Sequence, residues 1–282
     1  MKQQFSRSEI STCWVNGKIV SPYETAVSAV DHAIIVGDAV FETIKVIKGI
    51  PFALSRHLKR LERSSKGLGI DPPDLNYVSA AINEILNADQ NSERLRITWS
   101  SGPGPLSSSR GNEAGTLMIS SSLGTQWPIT ERVHLCQWSR NENGALKGIK
   151  STSYAENVLA LRKAHEFNCS EAIFLNTAGK VCEGTGTNIF FVIDDHLITP
   201  SLESGCLAGI TRELIIELVQ VEEKDIYPSD MQLASEAFLS SSTREISPIS
   251  AIDEIILPEA PGPITEDISS KFATLVKSNT DP

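Results

Sequence analysis

Long apolar runs, a secretion signal and paired cysteines are all missing from this sequence. No stretch of about 18 apolar residues occurs, so a membrane-spanning helix is not expected. The first ten residues, M-K-Q-Q-F-S-R-S-E-I, lack the apolar core of a signal peptide. The five cysteines are scattered, with no C-x-x-C pair. Their odd number and spacing argue against a disulfide framework or a zinc site and predict a reducing, cytoplasmic location.

Basic residues are also fewer than acidic ones. The chain has 25 basic residues against 35 acidic ones, a formal charge of −10, and no basic stripe that would indicate a nucleic-acid partner. Its 282 residues allow one large domain or two medium ones. The predicted strand Thr116–Ser122 ends the first of two domains. We expect an N-terminal α/β domain at 1–122, a linker at 123–128 and a second domain at 129–282.

Periodicity and turn residues predict most of the elements. In the first domain we expect an Asn-Gly hairpin over Trp14–Val20, a long loop over Ser100–Gly111, and these helices and strands: Phe41–Val46, Leu54–Leu68, Asn76–Ala88, Arg94–Trp99 and Thr116–Ser122. In the second we expect a helix after Gly209 and the following elements: helix Ala155–Phe167, strands Ala172–Leu175, Asn188–Ile193 and Ala237–Ser240, and helix Thr265–Lys277.

One stretch, Gly148–Asn188, concentrates the residues that could carry chemistry. Lys150 stands just before the predicted helix, and an S-x-x-E pattern at Ser153 and Glu156 predicts a capping box there. Glu183 follows a strand and precedes Gly184, where a glycine lets the backbone approach a flat ligand. Each feature has a plainer interpretation, since a lysine before a helix is usually solvated and glycine turns are common.

A third feature strengthens the pattern. Gly209 and Thr211 precede an amphipathic helix, and such a helix start offers N–H groups and a positive dipole end to a phosphate. The alternative is an ordinary helix cap with Thr211 as the capping residue. A lysine, a carboxylate and a phosphate-ready helix start together match pyridoxal 5'-phosphate, a cofactor with an aldehyde, a ring nitrogen and a phosphate.

The chain resembles the class IV aminotransferase family, the fold-type IV enzymes that use pyridoxal phosphate. The resemblance covers nearly the whole chain. It rests on Lys150 and these motifs: G-D-A-V-F-E-T at Gly37–Thr43, R-H-L-K-R-L at Arg56–Leu61, E-G-T-G-T-N at Glu183–Asn188, G-I-T-R at Gly209–Arg212 and S-S-S-T-R-E-I-S-P at Ser240–Pro248. It implies a small N-terminal α/β domain, a larger C-terminal pseudo-barrel domain and a homodimer in which the Ser100–Gly111 loop lies near the partner's site.

The resemblance also implies site residues. Lys150 would form the Schiff base with the cofactor, and Glu183 would hold the ring nitrogen protonated. The other expected cofactor contacts are Arg60, Tyr154, Thr187, Asn188, Gly209, Ile210, Thr211, Ser242 and Thr243. Two of these have plainer alternatives, because Arg60 lies on a basic helix face that could be solvated and Tyr154 could be a core aromatic. The expected substrate contacts are Phe41, Thr43, Arg96, Ser101 and Arg110. No metal is expected.

The reaction stays divided between two possibilities. The family's D-amino-acid enzymes have a tyrosine at the position of Phe41 and an arginine at that of Ser101, so this specificity is disfavoured. Arg96 matches an arginine that branched-chain enzymes use for the 2-oxo acid carboxylate, whereas Thr43 matches a threonine of the aminodeoxychorismate lyases. We favour a transaminase acting on an amino donor and a 2-oxo acid. The alternatives are a lyase that releases pyruvate from 4-amino-4-deoxychorismate and a non-catalytic binding protein on the same fold.

Overall fold

The computed structural model describes residues 10–282, which form two compact units. The first unit holds the described residues through Thr125 together with Ile149–Ser153 and Asp281. The second unit holds the rest of the chain from Gln126 onwards. The expected linker at 123–128 spans the point where the first unit gives way to the second, and Lys150 belongs to the first unit.

The first unit is built on a six-stranded antiparallel sheet with the order β2-β1-β6-β5-β3-β4. Its elements are β1 (Ile10–Val15), β2 (Lys18–Val20), α1 (His32–Ile35), β3 (Ala39–Ile47), β4 (Ile50–Pro51), α2 (Leu54–Leu68), α3 (Leu75–Ala88), β5 (Arg94–Ser100) and β6 (Leu117–Ser122). The predicted hairpin is confirmed: β1 pairs with β2 around Asn16 and Gly17, both at positive φ, as a tight Asn-Gly turn requires.

Helix α2 matters most for the site, because it mixes apolar and ionisable residues on its buried side. Leu58 and Leu61 pack into the core that the helices form with the sheet. His57, Arg60 and Ser64 are buried on the same helix, three or four residues apart, so they share one side of it. The helix therefore presents a histidine, an arginine and a hydroxyl to the interior of the first unit.

The second unit has a nine-stranded sheet with the order β12-β11-β10-β13-β14-β7-β8-β9, and β15 pairs with β14. Its elements are β7 (Glu131–Arg140), α4 (Ala155–Glu166), β8 (Glu171–Asn176), β9 (Val181–Gly184), β10 (Asn188–Ile193), β11 (His196–Pro200), a 3₁₀ turn (Leu202–Ser204), α5 (Ile210–Leu218), β12 (Glu222–Lys224), α6 (Pro228–Met231), β13 (Glu236–Ser241), β14 (Glu245–Ile252), β15 (Ile255–Ile256) and α7 (Pro263–Ser278).

Strands β8, β10 and β13 are the most completely buried strands of the second unit. They are almost continuously buried, as apolar runs covered on both faces must be. Phe190 on β10 and Phe238 on β13 are register partners whose rings stack with their centroids 4.8 Å apart. The candidate residues Asn188 and Ser242 lie at the start of β10 and just after the end of β13.

The capping box predicted at Ser153 and Glu156 is wrong. Tyr154 occupies the N-cap of α4 and makes no side-chain cap bond. The Ser153 hydroxyl donates instead to the carbonyl of Gly37, at 3.2 Å. A short hydroxyl side chain bonds whichever acceptor the fold brings closest, and here a tertiary acceptor replaces the helix's own N–H groups as its partner.

Candidate active site

Lys150 is held by its main chain against the edge of the first unit's sheet. Its carbonyl accepts the N–H of Phe41 at 2.9 Å, and its own N–H donates to the Ser64 hydroxyl at 3.3 Å. Two residues on, the N–H of Thr152 donates to the carbonyl of Ala39 at 2.8 Å. The segment thus behaves as a short added strand beside β3.

Two cationic side chains meet on the ring of Phe41. The Nζ of Lys150 lies 4.3 Å from the ring centroid, and the guanidinium carbon of Arg96 lies 3.7 Å from it. Thr43 is the register partner of Arg96 across β3 and β5. The structure therefore brings together Lys150 and three of the expected substrate contacts, Phe41, Thr43 and Arg96.

A buried ionic triad lies on α2 and β3. Arg60, only 3% exposed, donates from Nε and one terminal nitrogen to the two oxygens of Glu42 at 2.8 and 2.6 Å. His57 Nδ1 donates to Glu42 Oε2 at 2.6 Å, since an ionised carboxylate can only accept. Arg60 is therefore buried and fixed in orientation, and the interpretation of a solvated face is wrong for this residue.

The triad has defined protonation tendencies. Burial alone would raise the pKa of Glu42, but the charge and hydrogen bonds of Arg60, with His57, outweigh it and lower this pKa to about 2. Burial lowers the pKa of His57, and the charges of Arg60 and Lys150 act in the same direction against the opposing effect of Glu42. The triad at neutral pH thus holds one anion and one guanidinium cation.

The two remaining substrate candidates, Ser101 and Arg110, both lie beside Asp38. The N–H of Ser101 donates to the Asp38 carbonyl at 3.2 Å, and Arg110 binds the Asp38 carboxylate with two nitrogens at 2.7 and 2.8 Å. Arg110 also donates to the carbonyl of Leu68 at the end of α2, at 2.7 Å. The Arg110 guanidinium lowers the pKa of Asp38, although burial opposes it. Arg110 thus ties the Ser100–Gly111 loop to the rest of the first unit.

In the second unit, Glu183 lies on β9 opposite Phe174 of β8. One carboxylate oxygen accepts the N–H of Leu207 at 2.9 Å, and the other lies 3.4 Å from Nε of Arg140. Arg140 stacks over the Phe174 ring, with its guanidinium carbon 4.3 Å from the centroid. An N–H donor and a guanidinium thus fix the orientation of the Glu183 carboxylate.

Asn188, at the other end of the E-G-T-G-T-N motif, also binds Leu207. Its Nδ2 donates to the carbonyl of Leu207 at 2.9 Å, so Glu183 and Asn188 bind the two peptide groups of Leu207. A Cβ added to Gly209 would lie 2.0 Å from Asn188 Oδ1, closer than any real contact. Glycine is therefore required at position 209 by this close approach. Glu183 and Asn188 together hold the segment from Leu207 to Gly209 in place at the start of α5.

Helix α5 begins at Ile210, with Gly209 as its N-cap and no side-chain cap bond. The alternative in which Thr211 caps the helix is wrong, because Thr211 lies inside it. A nine-residue helix whose first N–H groups have no side-chain cap is suited to an anion. The position of this helix start is set by Glu183 and Asn188 through Leu207.

The remaining candidates lie in two turns. Thr187 is buried, with its hydroxyl 3.4 Å from Glu171 Oε2. Ser242 and Thr243 lie in the turn between β13 and β14, where Trp127 Nε1 donates to the Thr243 carbonyl at 3.1 Å. Ser240, just before this turn, is 1% exposed, and its hydroxyl has no hydrogen-bond partner within residues 10–282. A buried hydroxyl without a partner is costly, so this position suits a bound water or a polar group of a ligand.

Two further charged residues were missed by the sequence analysis. Glu42 lies inside the G-D-A-V-F-E-T motif but was not assigned a role. It lies on the same face of β3 as the buried residues Ile44 and Val46, so the alternation of side chains along the strand would have marked it as a buried acid. Arg140 ends β7, a strand that no periodic pattern indicated, so no local signal could have identified it.

Tyr154, the N-cap of α4, is half-buried, and its carbonyl accepts the N–H of Val158 at 3.0 Å.

Within the part of the chain that the structure describes, no helix is long and apolar enough to cross a membrane. The same residues contain no group of three or more His, Cys, Asp or Glu side chains placed to bind a metal ion. All five cysteines are free thiols.

The sequence profile described as "Amino-transferase class IV" matches residues 39–252, most of the chain. The chain belongs to the class IV aminotransferase family. This confirms the predicted resemblance, the two-domain fold-type IV architecture and an enzyme of this family, whose members depend on pyridoxal phosphate.

Individual relatives cover nearly all of the chain. A putative branched-chain-amino-acid aminotransferase of Methanocaldococcus jannaschii is 30% identical, over 92% of this chain and 94% of that protein. An aminodeoxychorismate lyase of Bacillus subtilis is 26% identical, over 94% of each chain. The crystal structure of a Thermobaculum terrenum branched-chain amino acid aminotransferase in its pyridoxal phosphate form has a TM-score of 0.84 and 29% identity, covering 96% of this chain and 95% of its own.

Proposed function

We propose that this protein is an aminotransferase that uses pyridoxal 5'-phosphate to move an amino group between an amino acid or amine and a 2-oxo acid. We assign Lys150 as the residue that bonds covalently to the cofactor aldehyde. The observation that carries this is the attachment of Lys150, whose peptide is fixed on β3 and Ser64 while its Nζ lies at the face of Phe41. The main chain therefore sets where Lys150 starts, and the Phe41 ring lies beside its amine.

The residues of each unit suit the parts of this cofactor. Within residues 10–282 the start of α5 has no side-chain cap and the Ser240 hydroxyl has no partner, which suits a phosphate, and the Glu183 carboxylate suits a protonated ring nitrogen. We assign Arg60, Ile210, Thr211, Ser242 and Thr243 to the phosphate, with Gly209 allowing the backbone to approach. Thr187, Asn188 and Tyr154 are assigned to the cofactor as well.

The chemistry divides between the cofactor and the chain. Pyridoxal phosphate supplies an aldehyde for amine exchange and a ring that takes up the electrons left when a Cα proton departs. With the cofactor bound, Lys150 Nζ would take the proton from the substrate Cα and deliver it to the cofactor C4′ carbon. Glu183 keeps the proton on the ring nitrogen, and Arg60 carries positive charge for the phosphate while Glu42 fixes its plane.

Substrate selection is assigned to the residues around Phe41. Arg96 would bind the carboxylate of the 2-oxo acid through a charge-assisted pair, and Phe41 supplies an apolar wall beside it. Ser101 and Arg110 would close the site from the Ser100–Gly111 loop. This assignment makes Arg96 the residue that distinguishes an acceptor with a carboxylate from one without.

A lyase is the second candidate, and Thr43 is the observation that favours it. Its hydroxyl-bearing side chain stands in register with Arg96, and a relative over most of the chain is an aminodeoxychorismate lyase. A leaving enolpyruvyl group needs a proton, which a nearby hydroxyl could relay. The two reactions share Lys150 and Glu183, so the substrate pocket must separate them.

A substrate screen tests the proposal. The purified protein, loaded with pyridoxal phosphate, is given amino donors together with pyruvate or 2-oxoglutarate, and separately 4-amino-4-deoxychorismate alone. Amino acid formation from an added 2-oxo acid supports the transaminase. Pyruvate release from 4-amino-4-deoxychorismate without any transamination would establish the lyase, and failure of the protein to bind pyridoxal phosphate would reject both.

A further inference from the structure

Arg244, in the turn between β13 and β14, is enclosed by acidic groups of the second unit. It directly follows Thr243, and its side chain is only 6% exposed. One terminal nitrogen donates to Glu131 Oε1 at 2.6 Å, and the other lies 3.5 Å from Glu171 Oε2. Both carboxylates are buried, so this guanidinium balances part of the charge of two acids in a region of low dielectric.

Trp127 and Arg244 together fix the turn that precedes β14. The guanidinium carbon lies 3.9 Å from the centroid of the Trp127 ring, and Trp127 Nε1 donates to the carbonyl of Thr243. The N–H of Arg244 donates to the hydroxyl of Ser241 at 3.2 Å. Main-chain and side-chain contacts thus fix the residues on both sides of Ser242.

Glu131 connects the turn to the adjoining strands. Its Oε1 also accepts the hydroxyl of Ser247 on β14, at 3.0 Å. Its other oxygen accepts the hydroxyl of Ser170, the residue before β8. Removal of Arg244 would leave this buried carboxylate with hydroxyl donors alone.

Glu171 carries the connection on to the segment that follows Glu183. Its Oε1 accepts both the N–H of Thr185, at 3.1 Å, and the hydroxyl of Thr185. The carbonyl of Thr185 accepts Nδ2 of Asn157, and the Oδ1 of Asn157 accepts Arg140. A continuous set of polar contacts therefore runs from the Ser242–Thr243 turn to the strand end that carries Glu183.

We propose that Arg244 is a positioning residue that holds the Ser242–Thr243 turn in place for the cofactor phosphate by tying it to Glu131 and Glu171. The inference rests on the proposed function, because it requires that this turn contact the phosphate. In this proposal Arg244 acts through Glu131, Glu171 and Trp127 and makes no contact with the phosphate itself. The geometry needs a planar cation with nitrogens pointing to two carboxylates and a flat face on Trp127, which lysine cannot reproduce in full.

The test compares two ligands that differ only in the phosphate. Apo-protein is titrated with pyridoxal phosphate and with pyridoxal. The dissociation constant of pyridoxal divided by that of pyridoxal phosphate measures how much the phosphate site contributes to binding, and this quotient is the ratio used below. For Arg244→Met we expect this ratio to fall by about tenfold or more, since a charge-assisted contact is lost or misplaced. Pyridoxal affinity should change by less than about threefold, the normal scatter of such contributions. Arg244→Lys should recover part of the ratio.

Glu236→Gln is the matched control. Glu236 is a buried acid at the opposite end of β13, where it accepts the N–H groups of Ile264 and Thr265 at 3.0 and 2.7 Å. This variant should lower the melting temperature of the apo-protein but leave the ratio unchanged. If the Met variant has no folded apo-state, Arg244→Lys decides, because its ratio should still lie below that of the parent.

The outcomes distinguish a failure of the role of Arg244 from a failure of the proposed function. An unchanged ratio in a folded Arg244 variant, or an equal loss of both ligands, would overturn the role of Arg244 and leave the proposed function standing. A parent protein that binds neither ligand would reject the proposed function, and the role of Arg244 with it.

Discussion

Phe41 and Lys150 are joined twice, once through the main chain and once through their side chains. The N–H of Phe41 donates to the Lys150 carbonyl at 2.9 Å, and the Lys150 Nζ lies 4.3 Å from the Phe41 ring centroid. The first contact fixes where the lysine starts, and the second indicates the direction of its side chain. A reactive amine needs both, because a nucleophile out of place by about 1 Å can lose two orders of magnitude in rate.

Glu183→Gln should leave pyridoxal phosphate bound but slow the proton-transfer step by about a hundredfold or more. The amide oxygen can still accept the N–H of Leu207, so the start of α5 should keep its place. The negative charge is lost, however, and the ring nitrogen then has no anion to hold its proton. Stopped-flow absorbance of the half-reaction measures the step, and a rate equal to that of the parent would contradict the role of Glu183.

Arg96→Ala should weaken the use of 2-oxo acids. The lost charge-assisted pair is worth about 1.5–3 kcal/mol, which is roughly a tenfold or larger rise in the acceptor KM. Thr43→Ala, its register partner, is the matched control and should change transamination little. Steady-state kinetics with the acceptor varied gives both values. The reverse ranking, with Thr43 essential for pyruvate release and Arg96 dispensable, would favour the lyase.

Glu42→Gln should destabilise the first unit and make its stability less sensitive to acid. The folded pKa of Glu42 lies at about 2, below the ordinary 4.5. Its ionised form therefore stabilises the fold fully above about pH 4.5, and this contribution disappears as the pH falls towards 2. Breaking the buried pair with Arg60 should cost about 3 kcal/mol at pH 7.

Urea unfolding of the parent and the Glu42→Gln variant between pH 7 and pH 3 checks this pH dependence. The gap between the two should be constant from pH 7 to about pH 5 and should narrow below it. Glu62→Gln is the control, because Glu62 pairs with Lys66 on the exposed side of the same helix and should contribute well under about 1 kcal/mol. A gap that widens in acid would show that Glu42 is not the stabilising anion of the triad.

The active protein is expected to be a homodimer. The expectation comes from the family resemblance and from the length of the Ser100–Gly111 loop, in which Arg110 is anchored on Asp38 and α2. Sedimentation velocity at micromolar concentration, run together with an activity assay on the same sample, measures the assembly. Full activity in a sample that sediments only as a monomer would contradict the expectation.

Elements with a strong local pattern could be predicted from the sequence. The Asn16-Gly17 hairpin, helix α2 with its leucines and strand β10 are confirmed with bounds close to those predicted. By contrast, β7 and β14 were not predicted: the burial pattern of β7 is irregular, and β14 contains Pro248, which is unusual within a strand. Pairing between distant segments leaves no local signal.

The candidate site shows the same division. Lys150, Glu183 and Gly209 could be selected as candidates because a lysine, a carboxylate and a glycine before a helix together suit a cofactor. The partners that orient them could not, since Glu42 binds Arg60 from another element and Arg140 reaches Glu183 from a strand 43 residues away. The wrong capping box at Ser153 has the same origin, because its hydroxyl bonds to Gly37, which is distant in sequence.

Covalent trapping at Lys150 tests the central claim most directly. The protein is incubated with pyridoxal phosphate, reduced with borohydride and mapped by peptide mass spectrometry, with Lys147→Ala and Lys150→Ala treated in parallel. Lys147 is a suitable control because it lies three residues earlier and pairs with Glu203 on the surface. We expect the pyridoxyl group on Lys150 in the parent and in Lys147→Ala. Lys150→Ala should be folded, unlabelled and inactive; labelling of a different lysine with turnover preserved in Lys150→Ala would contradict the account.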